Sequence, residues 1–183
     1  MSDEYIAPKK QDLEKVTVPE NAEFYDEMSL FIHLAKKYPD EIDVELNIPA
    51  SKSRIEEFEN KNNIKLTDEL KALYMFADGF SISSGNLDIL GLDQVEESLA
   101  YEWEWGDTKR YVLLGDMIGD GEAIFLDLDS GKIITNDHGD ETEYDDLYML
   151  LSEIIFDFIQ NEFDDEKLDE YIGGWEITET IPD

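Results

Sequence analysis

The stretch Leu66–Ser84, LTDELKALYMFADGFSISS, changes its hydrophobic period halfway along, and that change decides the fold. Up to Ala77 the apolar residues fall at helical spacing, with Leu70, Leu73, Tyr74 and Ala77 on one stripe. Thr67 can cap the start of this helix, and Asp68 and Glu69 sit where the helix dipole favours anions. Gly79 terminates it. Beyond Gly79 the apolar runs are short, rich in β-branched, aromatic and leucine residues, and separated by turn residues: FSIS, NLDILGL, YVLLGDM, EAIFLDL and KIITND. These predict strands. The clearest hairpin runs from Ala123 to Asp137 and folds at Asp129-Ser130-Gly131, where the glycine supplies a positive φ.

Toward the N-terminus, Phe24, Met28, Phe31, Ala35 and Tyr38 predict an amphipathic helix that Pro39 stops. Pro49 ends a short apolar stretch. Ser53 with Glu56 forms a capping-box pair that opens a second helix through Ile55 and Phe58 to about Asn62. Residues 1–20 contain Pro8, Pro19, Lys9 and Lys10 without periodicity, and predict a flexible arm. Toward the C-terminus, Leu147, Leu150, Leu151, Ile154, Ile155 and Phe158 mark a long helix entered through Asp145 and Asp146, predicted to cover one face of the sheet. Residues 164–183 form an acidic extension broken at Gly173-Gly174. The segment Val95–Arg110, VEESLAYEWEWGDTKR, fits a short helix, a strand or a long loop equally well. The expected architecture is a single α+β domain over residues 21–163. It has N-terminal helices, a mainly antiparallel sheet of about five strands, and a C-terminal helix packed on that sheet.

Charge bounds the function. The 183 residues carry 47 Asp and Glu against 14 Lys and Arg, a formal net charge of -33, yet 42% are hydrophobic. A disordered acidic tail lacks the apolar residues needed to offset chain entropy; this chain has them, so the acid belongs on the surface of a folded domain. Such a surface repels nucleic acid and anionic lipid and speeds encounter with basic proteins. Without cysteine there is no disulfide framework, thiolate metal site or thiol nucleophile. The N-terminus has no apolar signal region and no apolar run approaches the roughly 20 residues of a membrane span, so the expected location is cytoplasmic.

The order and spacing of several motifs resemble a known family. Ile55, Phe58 and Glu59 fit "I-x-x-F-E"; Leu66, Leu70, Lys71, Leu73 and Tyr74 follow as the next helix; Gly79 and Phe80 follow that. The later region LLGDMIGDGEAIFLDLDSGKIITND adds a Gly-Asp turn and a strand pair. Over about residues 50–160 this is similar to the fungal cell-wall synthesis regulator (Smi/Knr) family of the SUKH superfamily. The family often has Pro where Thr67 stands and Asn where Asp78 stands, and both replacements keep capping and turn chemistry. The resemblance implies a protein-binding module without catalytic activity. Bacterial members resemble immunity proteins that neutralise secreted toxins by contact; fungal members resemble signalling hubs.

The residues themselves carry little catalytic promise. Asp127, Asp129 and Gly131 look like the start of a calcium loop, but an acid is missing at Gly131 and His138 stands where the twelfth-position Glu belongs. Asp116, Asp120 and Glu122 flank Gly119 and Gly121 and read as a solvated turn. His138 lies among acids without a nucleophile pattern near it, and Ser130 belongs to the hairpin turn. His33 reads as helix surface. No cofactor is expected. Tyr101, Trp103 and Trp105 alternate with Glu102 and Glu104, so an extended segment shows aromatics on one face and carboxylates on the other. Two readings stand: a strand burying its aromatics, or an interface whose aromatic anchors and acidic flanks suit a basic partner. The expected contact surface is this segment with the acidic turns at Asp120, Glu122, Asp140 and Glu141. The expected partner is a basic protein, such as a nuclease toxin, whose active site must be positive to hold phosphate. A regulatory or scaffold module without a toxin is the alternative, and a metal-dependent enzyme the weakest reading.

Overall fold

Helix caps and buried stripes organise the first half of the chain. A computed structural model describes residues 8–40, 42–82, 87–101, 109–117 and 122–162, with side chains of the last helix described through Ile154. Helix α1, Tyr25–Lys37, buries Met28, Leu30, Phe31, Leu34 and Ala35 and closes at Tyr38, whose N–H donates to the Leu34 carbonyl. Strand β1 is Val44–Leu46 and helix α2 is Lys52–Asn62. The cap of α2 is Ser51, not Ser53: Ser51 has an extended backbone and its hydroxyl accepts the Arg54 N–H at 3.1 Å, while Ser53 already lies inside the helix. Helix α3, Asp68–Phe76, is capped by Thr67 as expected, its Oγ1 accepting the Leu70 N–H at 3.2 Å.

The period switch falls where the sequence placed it. Strands β2 (Phe80–Ile82) and β3 (Leu87–Ile89) lead into a short helix α4 (Leu92–Ser98). Then come β4 (Tyr111–Met117), β5 (Glu122–Asp127), β6 (Ile133–Asp137), β7 (Asp140–Tyr144) and helix α5 (Leu147–Glu162). The sheet is a meander of seven antiparallel strands in sequence order. Five of them coincide with the five predicted runs. The additional β1 and β7 are the two outer strands: one is three residues long, the other is DETEY, whose acids have low strand propensity and are held by pairing with β6.

Register sorts the side chains. Val112, Leu126 and Ile133 share one face with Val44, Leu46, Phe80, Ile82, Leu87 and Ile89, and this face meets the helices in one core. Leu147, Leu150 and Leu151 are buried there as α5 packs against α1 and β7. Residues 8–18 of the stretch read as an arm lie against the domain: Gln11 N–H donates to the Leu46 carbonyl at 2.7 Å, its side-chain Nε2 reaches the Asn47 and Phe76 carbonyls, and Val18 is buried. The extension 164–183 lies outside the described residues.

Gly79 holds the helix-to-sheet junction. Its φ is +86°, and a Cβ there would stand 2.5 Å from the Gly91 nitrogen and 2.7 Å from the Ile89 oxygen. Gly139 also has positive φ, at +105°, but open space around it. Gly79→Ala is therefore expected to cost about 1–3 kcal/mol, and Gly139→Ala nearer about 1 kcal/mol, because only the first adds a backbone collision to the strained φ. Urea midpoints of the two variants compare them directly.

Candidate protein-binding surface

Antiparallel pairing gathers acids at one end of the sheet. Glu122 opposes Met117 where β5 begins, Ala123 opposes Asn136, Asn136 opposes Glu141, and Asp137 opposes Asp140. His138 and Gly139 form the two-residue link between β6 and β7, both at positive φ, as the primed hairpin turns require. Asn136 Oδ1 accepts the Gly139 N–H at 3.1 Å and fixes this turn. Glu122, Asp140 and Glu141, three of the expected contact residues, thus lie at the same end of the sheet, Glu122 on β5 and the other two on β7, with β6 between them. Tyr101 lies on the turn after α4 with 65% of its surface exposed. Glu102, Trp103, Glu104, Trp105 and Asp120 lie outside the described residues. The first part of the ambiguous Val95–Arg110 segment belongs to α4.

A second acidic pair was not anticipated. Asp88 on β3 directly opposes Asp116 on β4, on the face of the sheet away from the core. Like charges in that relation repel. Burial, with the Asp88 charge adding to it, raises the Asp116 carboxyl above its ordinary value. Gly115 permits the close approach, since a Cβ there would lie 2.0 Å from the Asp88 carbonyl oxygen.

The other singled-out residues are structural. Asp127 is buried and fully engaged: its carboxylate receives Arg110 Nε at 3.0 Å and Nη2 at 2.8 Å, the Ser130 hydroxyl at 2.8 Å and the Asp129 N–H at 3.0 Å. Arg110 holds it well below the usual carboxylate range. The hairpin turn, with Gly131 at φ +76°, is built around that carboxylate. Among the described residues no group of three or more His, Asp or Glu is arranged to hold a metal ion. His138 sits exposed in its turn, 3.8 Å from Asp137 Oδ1.

Two carboxylates, half-buried Glu69 and buried Glu27, escaped the sequence reading. Glu69 serves a different helix from its own: its oxygens accept the Leu147 N–H at 3.1 Å and the Tyr148 N–H at 2.9 Å, capping α5 beside Asp146, which accepts the Met149 N–H. Burial pushes Glu69 up to about 7, with the Asp146 and Glu23 charges adding to the rise and the two N–H donors opposing it. Glu27 is buried on α1, where one oxygen accepts the Ser152 hydroxyl at 2.8 Å, and burial raises it too. Its place one residue before Met28, on the apolar stripe of α1, was the available signal.

These acids set a pH dependence. A carboxyl whose folded pKa is about 7 against an ordinary 4.5 takes up a proton on folding, so its ionisation weakens the folded state. Stability is expected to rise by about 1–2 kcal/mol as pH falls from about 7.5 to 5. Glu69→Gln should flatten that rise, whereas general relief of surface repulsion would persist in the variant. Urea unfolding of both proteins across this range distinguishes the two contributions.

The model of the SMI1 / KNR4 family (SUKH-1) matches residues 49–161, from just before α2 almost to the end of α5 and over more than half of the chain. No curated protein matches it.

Proposed function

The chain belongs to the SMI1 / KNR4 family (SUKH-1), and from that premise we propose that it is an immunity protein, neutralising a basic toxin by direct contact in the cytoplasm. The observation that carries this reading is the gathering of Glu122, Asp137, Asp140 and Glu141 on adjoining strands of a chain with net charge -33. An acidic surface of this kind raises the association rate with a cationic protein and disfavours nucleic acid. A nuclease is a fitting target, because a phosphate-binding active site is itself positive. Contact is proposed through Glu122, Asp140 and Glu141 together with Tyr101, Glu102, Trp103, Glu104, Trp105 and Asp120. Binding rather than turnover is the expected activity. A regulatory module of the cell-wall type uses the same acidic surface on a different basic protein, and an experiment separates the two. The immunity reading expects a toxin domain encoded beside this gene; expressed in a test host, that domain should arrest growth, and co-expression of this chain should restore it through a complex that co-elutes. Continued arrest with the chain in excess and no complex would reject the immunity reading.

A further inference from the structure

Charge is not spread evenly over this chain. Helices α2 and α3 with the link between them, residues 52–76, carry five Lys or Arg and five Asp or Glu, so the whole net charge of -33 lies outside this stretch. Between the two helices lies a groove of about 160 Å3, lined by Lys52, Ile55, Glu56, Glu59, Lys71 and Met75. Ile55 is its buried apolar member, and Met75 is 46% exposed. The Ala50 N–H donates to the Tyr74 carbonyl at 2.9 Å, which brings the link between β1 and α2 beside α3, and Ile48 in that link is 49% exposed. Among the described residues the exposed large hydrophobics are Ile48, Met75 and Tyr101, so two of the three belong to this neighbourhood.

An acidic body is repelled by the rest of the molecule and meets no net charge here. That favours one occupant, a second copy of the chain. The ion pairs around the groove suit a two-fold axis, across which residue i of one copy faces residue j of the other and j faces i. Glu59 is held in place, since its carboxylate takes Lys71 at 3.2 Å and the Leu66 N–H at 2.9 Å. Lys52 and Glu56, one turn apart on α2, pair only loosely at 3.9 Å and are largely exposed. With the α2 helices of two copies antiparallel, Lys52 of each copy reaches Glu56 of the other. Met75 of each copy then enters the facing groove, whose volume is close to the roughly 150 Å3 at which an apolar cavity admits benzene.

We propose that the groove between α2 and α3 is a self-association face, through which two copies of this chain meet about a two-fold axis with Met75 at the centre and Lys52–Glu56 pairs between copies at the rim. The proposal stands apart from the immunity reading, which puts the toxin at the acidic end of the sheet. Sedimentation equilibrium of the full chain from about 5 to 500 μM is expected to show the mass climbing toward twice that of one chain. Association should be tighter at about 0.5 M than at about 0.15 M sodium chloride, because salt screens the repulsion between the two acidic bodies. Met75→Glu should weaken it about tenfold or more. Lys52→Glu sets acids against acids across the axis, and Glu56→Lys sets cations against cations, so each variant alone should associate at least about fivefold more weakly. An equimolar mixture of these two variants should form a mixed dimer about as tight as the unsubstituted one, a recovery that damage to the fold could not give. A chain that stays monomeric to the highest concentration, single variants that associate like the unsubstituted chain, or a mixture that gains nothing over its components would overturn the proposal. If the chain is monomeric and Met75→Glu instead abolishes toxin neutralisation, the groove belongs to a different protein and the second copy is rejected as its occupant.

Discussion

Phe58→Ala is expected to remove about 3–5 kcal/mol of unfolding free energy at neutral pH. Helix α2 buries only Ile55 and Phe58, and its remaining residues face solvent or its edges. The ring of Phe58 is wholly buried, in a helix that packs against α3 and α4. Truncation removes the transfer free energy of the ring and leaves a cavity that two other helices cannot both collapse to fill. Against a typical total of about 5–15 kcal/mol, such a loss unfolds a substantial fraction of the molecules. Glu57→Ala, one residue earlier and exposed, should change stability by no more than about 0.5 kcal/mol. Urea unfolding followed by tryptophan fluorescence measures both, and a Phe58 variant as stable as the Glu57 variant would mean that α2 is not docked.

Leu151→Ala is expected to cost about 2–5 kcal/mol for a related reason. Leu151 is fully buried, one helical turn beyond the Leu147 N–H that Glu69 caps, where α5 packs against α1 and β7. Ile154, half-buried on the same helix, should cost less when truncated. If Leu151→Ala proves as mild as a surface change, the C-terminal helix does not complete the core. A loss larger than that of Ile154→Ala supports its docking.

The parts of the fold legible in the sequence were those in which local and tertiary forces agree. Leu70, Leu73 and Tyr74 fall on a helical stripe and Thr67 offers a cap, and these act as their residue types suggest, whereas the helix closes at an extended Ala77 and Gly79 serves the junction to β2 instead of the stop. The hairpin at Asp129-Ser130-Gly131 was equally plain. The strands that escaped notice depend on their neighbours: Val44–Leu46 is too short for a period, and the acids of β7 adopt a strand only because β6 and a His-Gly turn hold them there. Ser53 resembles a cap as strongly as Ser51 does, and the choice between them depends on where the preceding extended chain ends. Glu69 was read through its own helix, whereas its carboxylate caps another helix 78 residues farther along the chain. Of the expected contact residues, Glu122, Asp140 and Glu141 reach the same end of the sheet because strand register aligns β5 and β7 across β6, a relation that no local pattern encodes. Asp88 and Asp116 oppose each other for the same reason.

The most direct test of the central claim, that this chain acts by occupying its partner, is an inhibition titration. A fixed concentration of the toxin domain that the proposed function expects as partner, well above the dissociation constant, receives increasing amounts of this protein while its activity is followed. A binding protein lowers that activity linearly to an end point near equimolar, and the Asp140→Lys, Glu141→Lys variant bends the line and shifts the end point to higher concentration. Complete loss of activity at a small fraction of one equivalent, progressing with time, would reveal turnover and contradict the account; so would full toxin activity in the presence of a large excess.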